Sequence, residues 1–273
     1  MAQSPFAAVV KNRGAAGPVF GKFNMRKTGS PWIDARLRQA VNLTINRADL
    51  VRYAANRNGV VVPALVPPGG FGYDPGLKPY PFDPAKARER LREAGYPNGL
   101  PILLIASEAF KVQATVMSKM LEQAGFQVQH RVLDPATYTK KTDLSRLDQP
   151  AEQQPWDIAM ASDYDWSAVP AQLHRGLAGF GAGAWGTETT EIRRLYGLLL
   201  RTVDREKQQD LIRQMERRTH DQAYLVLLYS PIPLYAVNKT VAFVPYPDGW
   251  LRLAETSVTD QHWSVRKSAN TTQ

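Results

Sequence analysis

Six consecutive residues, Ser-Asp-Tyr-Asp-Trp-Ser from position 162, place two carboxylates, a phenol, an indole and two hydroxyls side by side. A carboxylate pairs with an amine and aromatic rings cover apolar groups, so this composition suits a cationic or amphipathic ligand. The alternative is a solvated loop, in which the aspartates form turns and the tryptophan packs against the protein. We give the name candidate ligand segment to the five residues expected to bind: Asp165, Trp166, Tyr164, Asp163 and Ser162.

Other residue types that carry out chemistry show no arrangement typical of a catalytic or metal site. There is no cysteine, which excludes disulfides and thiolate metal sites. Neither a GxxxxGK(S/T) phosphate loop nor a GxSxG nucleophile motif occurs. His174 with Arg175 follows the candidate ligand segment and either faces an anionic group or has a surface role. We expect no cofactor and no metal, because the histidines lack metal-ligand spacing: His130, His174, His220 and His262.

Size and composition are those of an ordinary globular protein. The 273 residues are 44% hydrophobic and 22% charged, enough for one or two domains with a real core. The net charge is +9 and the pI near 9.7. Arginines and lysines interleave with glutamates along helices, so we expect a solvated surface and no nucleic-acid partner. Residues 1–20 lack a signal-peptide core and 223–237 is too short to span a bilayer, which predicts a soluble chain without its own export signal.

Alternating strands and helices position the candidate ligand segment. Apolar runs at 100–106, 126–132 and 156–161 predict strands, and helix-spaced apolar residues predict a helix that ends at Gly125. A second helix is expected after Asp134. This alternation indicates βαβ units and a largely parallel sheet. Ligands bind beyond the carboxyl ends of such strands, where three loops are expected to meet: Ser107 to Phe110, the turn near Asp134, and Ser162 to Pro170.

A series of short motifs between residues 31 and 99 resembles a known family. Each motif has a local structural reason: Asp34 and Asp83 suit helix N-caps, Pro84 the first helical position and Gly95 a helix end. The resemblance continues more loosely to about residue 255. In order and spacing the series is similar to the middle of family 5 extracellular solute-binding proteins: Pro31-Trp32-Ile33-Asp34-Ala35-Arg36-Leu37, Asn46-Arg47-Ala48-Asp49-Leu50, Pro67-Pro68-Gly69, Tyr80-Pro81-Phe82-Asp83-Pro84 and Leu91-Arg92-Glu93-Ala94-Gly95-Tyr96.

The resemblance implies a fold and a division of the chain. The fold class is α/β, a type II periplasmic-binding-protein lobe with a mainly parallel sheet flanked by helices and an incomplete second lobe. The expected parts are an N-terminal segment with the first hinge crossing at 1–23, the α/β lobe at 24–225, strands returning to the other lobe at 226–260, and a disordered tail at 261–273. The resemblance implies that the N-terminal half, which would carry the export signal, is missing from this chain.

The resemblance also implies a function. Family members bind peptides, nickel complexes, opines or related solutes between two lobes and deliver them to an ABC permease, in the periplasm or outside the cell. In peptide binders an aspartate of the turn after the matching strand meets the peptide's α-amino group. Asp165 is the best match and Asp163 the neighbouring register. The turn departs from the usual Gly-Trp and Asp-Pro pairs, which puts peptide specificity in question more than binding: it has Ala161-Ser162 and Val169-Pro170.

Two other function classes stay open from the sequence. One is an intracellular solute-sensing domain of a regulator, although no DNA-binding helix-turn-helix is evident. The other is an unrelated hydrolase that uses Asp163 and Asp165. We find no positive sign of an enzyme and expect a binding protein with three partners: a small-molecule or peptide ligand, an ABC transporter permease, and the missing N-terminal half.

Overall fold

The computed structural model describes residues 4–12, 14, 17–163, 174–187, 189–246 and 251–266. The chain forms two compact units, a larger one from Gly17 to Pro231 and a smaller one that combines Met1–Ala16 with Ile232–Gln273. None of the described helices is both long and apolar enough to cross a membrane. The larger unit contains the sheet that leads into the candidate ligand segment.

Strands and helices alternate along the larger unit, as the apolar spacing predicts. Over the described residues of both units, the strands in chain order are β1 (Ala7–Lys11), β2 (Val19–Phe23), β3 (Gly59–Val60), β4 (Pro101–Ser107), β5 (Gln127–Leu133), β6 (Ile158–Ser162), β7 (Leu225–Pro231), β8 (Leu234–Asn238), β9 (Val241–Ala242) and β10 (Ser257–Val258). The helices are α1 (Ala35–Thr44), α2 (Arg47–Ala54), α3 (Pro84–Glu93), α4 (Lys111–Gln123), α5 (Pro135–Thr142), α6 (Thr190–Leu199), α7 (Arg205–Asp221) and α8 (Trp263–Arg266).

A six-stranded sheet in the order β3-β7-β2-β6-β4-β5 forms the centre of the larger unit. β4 pairs in parallel with β5 and β6, as expected for strands joined by the crossover helices α4 and α5. β2 lies antiparallel between β6 and β7, and β3 is antiparallel to β7. The α/β prediction is confirmed, but the sheet is mixed rather than mainly parallel. The reason is that β2, which precedes the βαβ units in the chain, inserts between β6 and β7.

Side-chain caps and a left-handed glycine set the helix boundaries. The Asp34 carboxylate accepts a hydrogen bond from the Arg36 N–H at the start of α1. The Asp83 carboxylate does the same for the Lys86 N–H at the start of α3. Such caps satisfy backbone donors that have no partner within the helix. Gly125 follows α4 with a φ of 100°, a conformation that glycine adopts without strain. All three boundaries agree with the prediction from sequence.

Two apolar clusters hold the larger unit together. The main cluster joins apolar residues of β2, β4, β6 and β7 to the inward faces of α1, α4, α6 and α7. The second contains Ile105, Ala159, Trp156 and Trp185, with the two indole rings 4.5 Å apart. Both indole N–H groups donate to carbonyls in the last turn of α5. The second cluster therefore ties the end of α5 to β4 and β6.

The observed units have boundaries different from the expected ones. The expected lobe is 24–225, whereas the larger unit runs from Gly17 to Pro231 because β2 and β7 pair within its sheet. Residues 226–231 consequently belong to β7 of that sheet. The expected disordered tail begins at 261, but Trp263–Arg266 forms α8, and 267–273 lie outside the described residues. Assignment of the units to the lobes of a two-lobe protein stays a prediction.

The smaller unit contains two antiparallel strand pairs and exposes large apolar side chains. β1 pairs with β8, and β9 pairs with β10. Leu253 is 70% exposed and Trp263 66%. Exposed apolar side chains in such numbers are typical of a surface that another segment or partner covers. Further members of this exposed set are Leu234, Val244, Leu251, Val258 and Val265.

Candidate functional site

The parallel strands bring the starts of the three predicted loops to one edge of the sheet, which we call the carboxyl edge. β5, β4 and β6 are neighbours, and the last residues of β4 and β5, Ser107 and Leu133, are ladder partners. β6 is parallel to β4 and ends at Ser162 on the same edge. β2 begins there, since Val19 pairs with Ser162 and with Tyr229 near the end of β7. The carboxyl edge therefore holds the ends of β4, β5, β6 and β7 and the starts of β2 and β3.

The structure describes the first two residues of the candidate ligand segment. Ser162 ends β6, and the Asp163 N–H donates to the Pro18 carbonyl at 3.3 Å. Both residues are half-buried. The segment thus starts at the carboxyl edge, beside β2. The other three members lie outside the described residues, and their role stays a prediction: Tyr164, Asp165 and Trp166.

A half-buried lysine on β2 faces acidic side chains in this region. The Lys22 ammonium donates to the Thr142 carbonyl at 3.2 Å. Burial lowers the pKa of Lys22 from 10.5 to about 8, while the nearby carboxylates of Asp143 and Asp163 act in the opposite direction. Asp163 therefore has a cation of the protein itself within electrostatic range.

His174 lies in the core of the larger unit. Its Nε2 is 2.7 Å from Oε1 of Glu216, and neither side chain is more than 2% exposed. The Glu216 carboxylate also accepts hydrogen bonds from the backbone N–H groups of Leu65, at 3.3 Å, and Val66, at 2.8 Å. Because the His174 side chain is buried, the surface role considered for it is wrong. The anionic group that it faces is a buried carboxylate of the protein itself.

The apolar spacing around Glu216 in the sequence indicates that its carboxylate is buried. Glu216 lies on the inward stripe of α7 with Ile212, Met215 and Thr219, all of which are buried. A carboxylate on such a stripe needs a hydrogen-bonding partner in the core. The sequence does not show which partner that is, since His174 is 42 positions away.

The described residues at the carboxyl edge include hydroxyl and carboxylate groups, those of Ser107, Ser162 and Asp163. In the part of the chain that the structure describes, no group of three or more His, Cys, Asp or Glu side chains could hold a metal ion. The groups present are suited to hydrogen bonding and ion pairing with a polar ligand.

A sequence model of a protein family matches residues 5–185, which is more than half of the chain. The matching model is described as the middle part of the bacterial extracellular solute-binding proteins, family 5. The chain belongs to this family. The resemblance seen in residues 31–99 is thereby confirmed. Membership of a family of binding proteins also supports the prediction that the chain is not an enzyme.

Curated relatives match this chain over part of their length. The glutathione-binding protein GsiB of Escherichia coli (strain K12) is 36% identical over 114 residues, which is 41% of this chain and 22% of that protein. GsiB of Pectobacterium atrosepticum is 37% identical over 115 residues, with the same coverage. The chain therefore matches less than a quarter of the length of these relatives.

Solved structures share the fold over nearly the whole chain. One is the ABC transporter-associated periplasmic binding protein DppA from Helicobacter pylori in complex with peptide STSA. Its TM-score is 0.80 at 21% identity, over 94% of this chain and 49% of that one. The dipeptide-binding protein from Pseudoalteromonas sp. SM9913 in complex with Met-Leu has a TM-score of 0.78 at 19% identity, over 94% and 51%. These similarities confirm the predicted fold. The chain spans about half the length of these proteins.

Proposed function

We propose that this chain is part of the substrate-binding component of an ABC importer, and that it binds a peptide or similar small solute for delivery to the membrane permease. The observation that carries the proposal is the family match over residues 5–185. The names of the similar proteins mention glutathione, the peptide STSA and the dipeptide Met-Leu. Each of the three has an α-amino group and at least one carboxylate, and Met-Leu also has two apolar side chains. A ligand of that chemistry fits a site that combines acids with aromatic rings.

The candidate ligand segment supplies the binding groups in this proposal. Asp165 pairs with an amine of the ligand, while Trp166 and Tyr164 cover its apolar parts. Asp163 is the less suitable of the two aspartates, because Lys22 lies within electrostatic range of its carboxylate. Ser162, the last residue of β6, offers its hydroxyl beside the acids.

The proposal includes a two-lobe protein whose N-terminal half lies outside the present sequence. Two observations support it. The chain spans 49% and 51% of the two solved binding proteins, and its smaller unit exposes Leu251, Leu253 and Trp263. A second half would cover apolar side chains of this kind. In agreement with the family description, the complete protein would work in the periplasm or outside the cell, with its export signal in that half.

Calorimetric titration of the two-lobe protein tests the proposal. The chain is expressed together with the proposed N-terminal half and titrated with glutathione, Met-Leu and STSA. Asp165→Asn is expected to weaken binding by about 1.5–3 kcal/mol, the magnitude of a hydrogen bond to a charged group. That corresponds to roughly a tenfold to hundredfold increase in Kd. Trp166→Ala is expected to weaken binding through lost contact area.

Asp163→Asn is the matched control, since it changes the neighbouring carboxylate in the same way. We expect it to change the affinity less than Asp165→Asn. Unchanged affinity in all three variants would remove the candidate ligand segment from the site. A two-lobe protein that binds none of the three peptides would contradict peptide binding. Cleavage of a peptide during the titration would instead favour a hydrolase that uses both aspartates.

A further inference from the structure

An open hollow of about 400 Å³ lies on the larger unit, where α1, α3 and the end of α7 meet the residues that lead into α3. We call it the basic hollow, because three of its lining side chains are cations: Lys78, Lys86 and Arg90. None of the described residues that line it is acidic, and none belongs to a strand or to a loop of the carboxyl edge. Its volume lies within the range of about 300–1,000 Å³ that is usual for small-ligand pockets.

The cations of the basic hollow carry charge that the described part of the chain balances only weakly. The Lys86 ammonium has no hydrogen bond or ion pair there, although Glu89 lies one helical turn away on α3. The described contact of Lys78 is long, since its Nζ lies 3.5 Å from a backbone carbonyl. Arg90 pairs with Glu93 at 3.3 Å, in an exposed pair of the kind that contributes little. Cations in one hollow without strong acidic partners attract an anion.

Apolar surface lies beside these cations. The rings of Tyr80 and His220 pack together with their centroids 4.6 Å apart, and both residues line the basic hollow. Leu43 and Pro81 extend the apolar lining. The Asp221 carboxylate, 3.2 Å from the His220 Nδ1, is not part of the lining. Aromatic rings cover apolar groups of a ligand, whereas ammonium and guanidinium groups bind carboxylates. The combination therefore fits a ligand that joins a carboxylate to an apolar group.

Hydrogen bonds fix the wall of the basic hollow that carries Tyr80. The Tyr80 hydroxyl donates to the His220 carbonyl at 2.7 Å, and the Tyr80 carbonyl accepts from the buried Arg47 guanidinium at 3.3 Å. Further along the same wall, the Asp83 N–H donates to the Leu43 carbonyl at 2.8 Å. Residues 80–83 are thus tied to α1, α2 and α7. The basic hollow therefore exists before a ligand arrives, and binding requires little ordering of the chain.

We propose that the basic hollow binds a small organic anion in which a carboxylate is joined to an apolar group. Lys86 and Arg90 are four positions apart on α3 and so lie on the same face of the helix, where both pair with the carboxylate. Arginine suits this role, because its guanidinium binds a carboxylate through two parallel hydrogen bonds. The apolar group lies against the rings of Tyr80 and His220. The site is separate from the candidate ligand segment, and the proposal does not rest on the proposed transport function.

Titration of the isotope-labelled 273-residue chain with phenylacetate, followed by NMR, tests the proposal. Phenylacetate is expected to shift the amide resonances of Lys78, Tyr80, Lys86 and Arg90 in a saturable way, with one Kd. Acetate keeps the carboxylate without the ring, and 2-phenylethanol keeps the ring without the charge. We expect each of these two compounds to bind at least about fivefold more weakly than phenylacetate, because each lacks one half of the interaction.

Variants on α3 locate the site within the basic hollow. Lys86→Gln and Arg90→Gln should each raise the Kd for phenylacetate by about threefold to tenfold, since each removes one cation from the carboxylate. Arg88→Gln is the matched control and should leave the Kd unchanged, because Arg88 is exposed on the same helix but does not line the basic hollow. Resonances of β4 and β5 that coincide with those of the wild type show that each variant is folded.

Three results would overturn the proposal. The first is the absence of saturable shifts around the basic hollow, or a Kd that neither Lys86→Gln nor Arg90→Gln changes. The second is an equal rise in Kd in Arg88→Gln, which would show a general effect of net charge. The third is acetate that binds as tightly as phenylacetate, which would show that the apolar lining takes no part. Weaker binding confined to Lys86→Gln and Arg90→Gln, with phenylacetate preferred over both comparison compounds, supports the site.

Discussion

Asp157, the residue before β6, is a group whose loss we expect to destabilise the larger unit strongly. Its Oδ2 accepts a hydrogen bond from the Leu103 N–H of β4 at 2.8 Å. Its Oδ1 accepts one from the Lys27 ammonium at 3.0 Å and a longer one from the Trp32 indole at 3.4 Å. The side chain is 8% exposed. One carboxylate therefore fixes β6 against β4 and both against the residues that lead into α1.

The expected effect of Asp157→Ala follows from these three partners. The buried Trp32 indole N–H and the partly buried Leu103 N–H would then lack an acceptor, which costs about 1–3 kcal/mol each. Lys27 is 32% exposed, so its ammonium can turn to water and adds little. We expect a loss of about 2–6 kcal/mol, the sum for the two unsatisfied donors. Asp157→Asn keeps one acceptor and should lose about 1–3 kcal/mol.

Urea unfolding followed by circular dichroism measures this loss, with hydrogen exchange to locate it in β4 and β6. Asp210→Ala serves as the control, because Asp210 also pairs with a cation, Arg213, but has a side chain 67% exposed. We expect it to change the free energy of unfolding by less than about 0.5 kcal/mol. A loss below about 1 kcal/mol in Asp157→Ala would refute the assignment of unsatisfied buried donors.

Two further predictions concern a helix cap and a half-buried amine. Asp83→Ala removes the cap on α3 and should lower the free energy of unfolding by about 0.5–2 kcal/mol without changing peptide affinity; altered affinity with an unchanged melting temperature would contradict a purely structural role. Folding lowers the pKa of Lys22 from 10.5 to about 8. Between these two pH values the unfolded chain therefore binds more protons than the folded chain. The free energy of unfolding consequently rises with pH across this window. Lys22→Met should lack this rise when urea unfolding is compared at about pH 7.5 and about pH 9.5, and an identical pH dependence in both proteins would show that Lys22 is not the group responsible.

Local sequence signals predict much of the fold, because they act over a few residues. The caps at Asp34 and Asp83 and the left-handed Gly125 each depend on neighbouring backbone, and the structure confirms them. The three strands β4, β5 and β6 follow from short apolar runs. Their parallel pairing follows from the helices between them. The motifs in residues 31–99 identify the family for the same reason, since they are local and ordered.

Pairings between distant parts of the chain are not visible in the sequence. β2 is a five-residue strand, and its insertion between β6 and β7 depends on contacts more than 130 positions away, such as Phe20 with Ala161. The burial of His174 against Glu216 depends on how α7 packs. The proximity of Lys22 to Asp163 depends on the register of β2. For the candidate ligand segment, the sequence indicates residue types suited to a ligand. The structure adds that the segment begins at the carboxyl edge.

The two ends of the larger unit leave from neighbouring strands. Val19, near its start, is the ladder partner of Tyr229, near its end. Partners in an antiparallel ladder have Cα atoms about 4.5–5.5 Å apart. A domain whose two termini are this close in space can replace a surface loop of another protein without separating the residues that flank the loop. We therefore expect that residues 17–231 can be inserted into a surface loop of another protein, with Gly17 and Pro231 at the two junctions.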